Sequence, residues 1–299
     1  MGKTDQTNRQ SLYADVTDTI IAELEEGRVP WVQPWDSAPC ACAMPHNAGT
    51  GRRYSGINIL ILWAAAIERG FSSQRWLTYA QAQAVGGNVR RGEQGTTVCY
   101  ADRFTPKDER LRAREEERDA RQIAFLKRFT LFHIDQCDGL PEAMTAAPEP
   151  LSEGDIIPSV GTLIAQSGAA VRIGGPEAFY SPGADIVAVP PMSAFHEPIN
   201  WYRTVLHELG HWTGHRSRLD RDQRDTFGKA DYAREELVAE MASAFTCASL
   251  STRPTVRHAD YIGSWLTVLR EDEKAIFRAA SAASKAADYL LAFVPKAVS

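Results

Sequence analysis

Residues 200–215 are N-W-Y-R-T-V-L-H-E-L-G-H-W-T-G-H, and the interpretation of the rest of the chain turns on them. Trp201, Val205, Leu206, Leu209 and Trp212 recur three and four apart, the spacing of a helix with one buried face. Within that helix His207, Glu208 and His211 form H-E-x-x-H. Residues four apart on a helix lie one above the other, so both imidazoles reach a single metal ion. Glu208 projects beside that ion, where a general base takes a proton from a bound water.

Two histidines and a glutamate at this spacing also arise by chance, so a site needs a third ligand. Residues 232–250, Y-A-R-E-E-L-V-A-E-M-A-S-A-F-T-C-A-S-L, form a second predicted helix that offers Glu235, Glu236 and Glu240 among apolar neighbours. Glu236 and Glu240 share a face at i, i+4. One carboxylate then binds metal while the other orients a ligand histidine through its free ring nitrogen. Glu236 is the favoured ligand and Glu240 stays open as the alternative; the rival is a solvated acidic face. His215 lies one turn too far along the axis unless the helix breaks at Gly214. A longer three-histidine pattern would need histidine at 217, where the chain has Ser217. Two imidazoles and a carboxylate suit Zn2+, and Mn2+ or Co2+ also accept them.

A chain of 299 residues is long enough for two domains, each with its own core. No apolar run approaches bilayer thickness, and M-G-K-T-D-Q-T-N-R-Q at the start has no apolar signal region. We therefore expect no membrane partner and a cytoplasmic setting. The cysteines at 40, 42, 99, 137 and 247 are odd in number and lack C-x-x-C spacing, which argues against a disulfide framework or a thiolate zinc site. The net charge of −5 argues against general polyanion binding. Residues 46–104 run the other way, with Arg52, Arg53, Arg69, Arg75, Arg90, Arg91 and Arg103 against Glu68, Glu93 and Asp102.

Periodicity predicts helices over 11–26, 58–68 and 80–85, and a hairpin over 88–100 with its turn at 92–95. Residues 105–121, dense in charge, read as a solvated helix or mobile loop, and 124–134 as a strand. The Pro-, Glu- and Ala-rich stretch around 141–154 reads as a linker between domains at 1–140 and 155–299. Strands follow at 171–173, 179–180 and 186–189, with late helices over 258–278 and 279–293. In the first half Trp31, Trp35, Tyr54, Trp76 and Tyr79 lie among Arg52, Arg53, Arg90 and Arg91. Such a set fits single-stranded nucleic acid, with bases stacked on rings and guanidiniums along phosphates; as core residues and ordinary surface, the same set fits any globular domain.

The succession P-W (34–35), G-R-x-Y-x-G-x-N (51–58), W-L-T-Y (76–79), G-G-x-V-R-x-G-E (86–93) and F-H-I-D-Q (132–136) resembles the N-terminal domain of ArdC-type antirestriction proteins, shared with plasmid TraC primases. H-E-L-G-H-W-T-G-H-x-S-R-L (207–219) and Y-A-R-E-E-L-V-A-E-M (232–241) resemble the zincin-type, gluzincin-like metallopeptidase domain fused to it. The resemblance implies an α+β protein of two domains that protects incoming plasmid DNA during conjugation. It further implies that the first domain binds single-stranded DNA through some of the aromatic and arginine set. In zincins with E-x-x-A-N on the second helix the leading glutamate is the ligand, which implies Glu236 here; Glu240 stands where asparagine is expected. On that reading His207, His211 and Glu236 hold zinc, Glu208 is catalytic, and the substrate is a protein of the recipient's restriction or regulatory machinery. His215, Tyr232 and Arg234 are candidate oxyanion donors. The alternatives are a non-enzymatic DNA shield with a structural metal, and a metal-dependent DNA-processing enzyme.

Overall fold

The computed structural model of the chain describes residues 3–32, 43–116, 118–119, 123–146, 153–221, 223, 229–252 and 261–294. Helix α1 (Lys3–Glu25) starts earlier than predicted and stops as expected at Gly27, whose φ of +75° favours glycine. Then follow β1 (His46–Asn47), α2 (Ile57–Glu68), β2 (Arg75–Leu77) and α3 (Tyr79–Ala84). The threonine of W-L-T-Y caps α3. Thr78 Oγ1 accepts the Gln81 N–H at 3.2 Å, and Gln81 Oε1 accepts the Thr78 N–H at 2.9 Å. The half ends with β3 (Asn88–Val89), β4 (Thr96–Phe104), α4 (Lys107–Glu115), β5 (Ile123–His133), β6 (Cys137–Asp138) and α5 (Glu142–Thr145).

The predicted hairpin over 88–100 does not form. β3 pairs with β6, whereas β4 pairs along its whole length with β5, in a sheet of order β1-β2-β5-β4. The charged segment therefore carries α4 at the end of a long ribbon. Gly95 explains the difference: a Cβ there would sit 2.2 Å from Thr130 Cγ2 and 3.0 Å from the Leu131 carbonyl. The glycine admits β5 rather than closing a turn.

The second half opens on α6 (Glu153–Gln166), a helix that sequence pattern missed because Pro158 sits inside it. Strands β7 (Ala170–Ile173), β8 (Phe179–Ser181) and β9 (Ile186–Val189) form a sheet of order β7-β9-β8, close to the predicted positions. Helices α7 (Pro198–Trp212), α8 (Lys229–Ser249), α9 (Ile262–Glu271) and α10 (Ala275–Leu291) complete the fold. The α9–α10 break falls earlier than predicted, at Asp272, whose Oδ1 accepts the Lys274 N–H at 3.0 Å.

The two halves share the largest core, and each also keeps a smaller cluster of its own. Trp31 packs edge-on against Trp265 at 5.3 Å and Trp63 against Phe245 at 5.6 Å, so α1 and α2 share one apolar core with α8, α9 and α10. The Gly56 N–H adds a 2.8 Å bond to Ser284 Oγ across the same junction. A smaller cluster under α7 joins it to α6 and β9 through Val160, Leu163, Val187, Val205 and Leu206. Among the described residues no helix is long and apolar enough to cross a membrane.

Candidate metal centre and nucleic-acid face

Gly210, inside H-E-L-G-H, is where α7 touches α8. A Cβ at Gly210 would lie 3.2 Å from the Ala239 carbonyl oxygen and 3.3 Å from its Cα. A glycine on one helix facing an alanine on the other lets the two backbones approach this closely. That contact sets His207 and His211, on either side of Gly210, against Glu236 on α8.

Glu236 Oε2 lies 3.5 Å from His207 Nε2, and Glu236 Oε1 lies 3.3 Å from His211 Nε2. The three residues offer donor atoms that all fall within 4.8 Å of one another. A tetrahedral ion held at about 2.0–2.1 Å needs donors about 3.3–3.4 Å apart, so the spacing fits. Glu208, Glu236 and Glu240 are only 2–3% exposed. With Glu235, which Arg221 pairs at 2.8 Å, they gather four carboxylates around the two imidazoles. Buried charge of one sign demands a counter-charge, and a divalent cation supplies one. Glu236 Oε2 is moreover buried without a hydrogen-bond donor. The residues fit a divalent ion.

Each histidine is backed by a further acid. Glu240 Oε1 stands 3.8 Å from His207 Nδ1, on the side of the ring away from Glu236. Glu235 Oε1 stands 3.3 Å from His211 Nδ1. Burial disfavours an imidazolium at His211, but Glu235 and Glu236 outweigh it and push its pKa up to about 10. Burial likewise opposes ionisation of Glu236, yet His207 and His211 hold it far below the usual carboxylate range. Glu235 is also lowered, against its burial, by His211 and Arg221. From the sequence Glu235 stood only among the acids of the second helix, without a partner, and Arg221 was passed over. An acid directly before the expected ligand was the only signal for the first, and the second comes from a loop.

Of the candidate oxyanion donors, Tyr232 lies one turn before Glu236 on α8, exposed, with its hydroxyl 3.4 Å from that of Tyr261. Burial, Tyr261 and Glu236 all raise its pKa, so the phenol keeps its proton. His215 Nδ1 is bonded to Ser217 Oγ at 2.8 Å, and Arg234 pairs with Asp231 at 2.8 Å.

The expected aromatic and arginine set does not come together. Trp31 and Trp76 are 0% exposed, so neither ring offers a face to a base, and the expectation for both is corrected by their packing. Trp76 sits against Phe71 and His133. Trp35 lies outside the described residues. Tyr54 is half-buried, and burial raises its pKa. Arg90 is spent on Glu93, at 2.8 Å, and on the Asp135 carbonyl. Gln136 bonds Glu93 from the other side at 2.9 Å, so G-G-x-V-R-x-G-E and F-H-I-D-Q hold each other. Arg53 reaches across to Ser249 Oγ at 3.1 Å. Arg52, Arg91 and Tyr79 are exposed. Two further rings of this half are exposed, Tyr100 on β4 and Phe129 on β5, neither singled out by the sequence.

Both halves of the chain match known families. Residues 10–132 match the N-terminal domain of anti-restriction factor ArdC, and residues 158–282 match the zincin-like metallopeptidase family MPTase-PolyVal. Two Escherichia coli proteins named DNA primase TraC are 37% and 38% identical over 97% of this chain. The chain spans only 28% and 20% of their respective lengths. Protein y4eC of Sinorhizobium fredii is 38% identical over 93% of this chain and 91% of its own. The crystal structure of the antirestriction ArdC protein from plasmid R388, metal-free, is 40% identical with a TM-score of 0.79, covering 94% of this chain and 97% of that one. Its Mn(II)-bound form is 39% identical with a TM-score of 0.78. With that identity along nearly the full length of both chains, the protein belongs to the ArdC family of antirestriction proteins, an N-terminal ArdC domain joined to a zincin-like one.

Proposed function

We propose that the protein shields incoming plasmid DNA from restriction during conjugation, binding single-stranded DNA through its N-terminal half. Its zincin-like half holds a divalent cation at His207, His211 and Glu236 and hydrolyses a peptide bond in a protein of the recipient's restriction or regulatory machinery. The observation that carries this is the buried triangle of His207, His211 and Glu236 with Glu208 beside it on α7. The likeness to TraC primases and to a plasmid ArdC protein supports the DNA-binding part.

A bound divalent cation supplies Lewis acidity to water and to a substrate carbonyl. Glu208 takes the proton from the attacking water and returns it to the leaving amine. Glu235 holds the His211 imidazole with Nε2 toward Glu236, and Glu240 faces Nδ1 of His207 at 3.8 Å. Tyr232, with its proton retained, is the oxyanion donor on this reading. The donor set suits Zn2+, while the Mn(II)-bound relative makes Mn2+ the second candidate.

The test is plasmid transfer into a restricting recipient with Glu208→Gln and His207→Ala. Loss of protection in Glu208→Gln, at unchanged melting temperature, marks a hydrolytic centre. Full protection by Glu208→Gln, with destabilisation by His207→Ala, reduces the ion to a structural one and rejects hydrolysis.

A further inference from the structure

The ribbon of β4 and β5 outruns the sheet it belongs to, since β2 pairs only with Phe132 and His133 at its base. The ladder sets Val98 opposite Phe129 and Tyr100 opposite Lys127. Opposed residues share a face and side chains alternate along a strand, so Tyr100, Lys127 and Phe129 lie on one face and Arg128 on the other. Tyr100 is 50% exposed and Phe129 45% exposed, with ring centroids 5.9 Å apart at 87°. Two large rings in mutual contact, half open to solvent beside a lysine, are costly surface unless something covers them.

The ribbon is held firmly along the free edge of β4 and from its other face. Asn58 on α2 donates its amide to the Cys99 carbonyl at 2.7 Å and accepts the Cys99 N–H at 2.8 Å, standing in for a missing strand. Arg128, on the opposite face, reaches Asp15 of α1 at 3.2 Å. The aromatic face is thus presented on a braced support.

We propose that Tyr100 and Phe129 are the stacking platform for single-stranded nucleic acid, with Lys127 taking a phosphate of the same strand. The chemistry is that of base on aromatic ring, available to every base, with a cation alongside for the backbone. A duplex keeps its bases stacked on one another and offers the rings nothing. The assignment rests on the DNA-binding reading above, and moves it from the buried tryptophans to the ribbon.

The experiment is a fluorescence-anisotropy titration of the intact protein with a labelled oligothymidylate and with a duplex, at two salt concentrations. Tyr100→Ala and Phe129→Ala should each weaken single-strand binding about 5- to 150-fold. Tyr100→Phe, which keeps the ring, should bind as the wild type does. Lys127→Ala should flatten the salt slope by about 0.7, the share of one phosphate on a single strand. If the wild type binds no oligonucleotide, the DNA-binding reading and the platform both fall. If it binds, and both alanine variants match it with unchanged melting temperature, the platform alone falls. Dispersal of a wild-type dimer by Tyr100→Ala, at unchanged DNA affinity, would also overturn the proposal by making the face a self-interface.

Discussion

Arg221 grips Glu235 with two N–H groups, Nη2 at 2.8 Å from Oε1 and Nε at 3.1 Å from Oε2. The same guanidinium donates to the Gly210 carbonyl at 2.7 Å and to Thr213 Oγ1 at 2.8 Å. One side chain from the loop after α7 thereby fixes the end of that helix and the acid that backs His211. Outer partners of metal ligands set ring orientation and basicity, and losing one costs about 10- to 100-fold in affinity. Arg221→Gln should weaken Zn2+ or Mn2+ binding by that factor in a chelator competition, while Arg221→Lys, which keeps charge but loses the fork, should fall between. Wild-type affinity in Arg221→Gln would reduce the clamp to a fold contact.

Gly210→Ala tests the close approach of α7 and α8. On an ordinary exposed helix the change favours the helix by about 1 kcal/mol. Here the new methyl meets the Ala239 backbone at 3.2–3.3 Å, which no rotamer can relieve. Overpacking of this kind costs about 1–3 kcal/mol, so the steric cost wins and the helices move apart. The expected outcome is a lower melting temperature together with weaker metal binding, because the shift separates the histidines from Glu236. A raised melting temperature would show that the interface yields.

What the sequence disclosed follows from how local each feature is. H-E-x-x-H and the acids of α8 are periodic patterns on single helices, so the candidate ligands and their faces were legible without knowing how the helices meet. Glu235 as partner of His211 depends on the α7–α8 crossing, which Gly210 and Ala239 decide, and no periodicity encodes that. The motifs of the first half carried the family resemblance, and Arg90 among them was expected to meet DNA. Their residues instead satisfy one another, as Arg90, Glu93 and Gln136 do, and Asn58 serves a strand edge 41 residues away. Trp31 and Trp76 misled because an aromatic beside arginines looks the same in a core as on a face, and only the long-range contact with α9 or with His133 separates them. The β4–β5 ribbon escaped notice because its strands are separated by a charged helix.

His133, in F-H-I-D-Q, gives the fold a dependence on pH that has nothing to do with metal. Its ring stacks on Phe71 at 4.3 Å, Nε2 donates to the Ser73 carbonyl at 3.0 Å, and Nδ1 accepts the Asp135 N–H at 3.0 Å. Both nitrogens are thus committed in the neutral form, and a second proton would break the bond at Nδ1. Burial lowers the pKa from 6.5 to about 4, with Asp135 pulling the other way. The folded state then binds fewer protons than the unfolded one between those values. The stability present above pH 6.5 is lost as pH falls toward 4. From pH 7 to pH 5 this group alone should remove about 2 kcal/mol. Urea unfolding of wild type and His133→Gln at both pH values isolates the contribution. The wild type should lose that much more stability than the variant on acidification. Equal losses in the two proteins would mean that His133 titrates normally in the folded state, and the buried neutral ring would have to be abandoned.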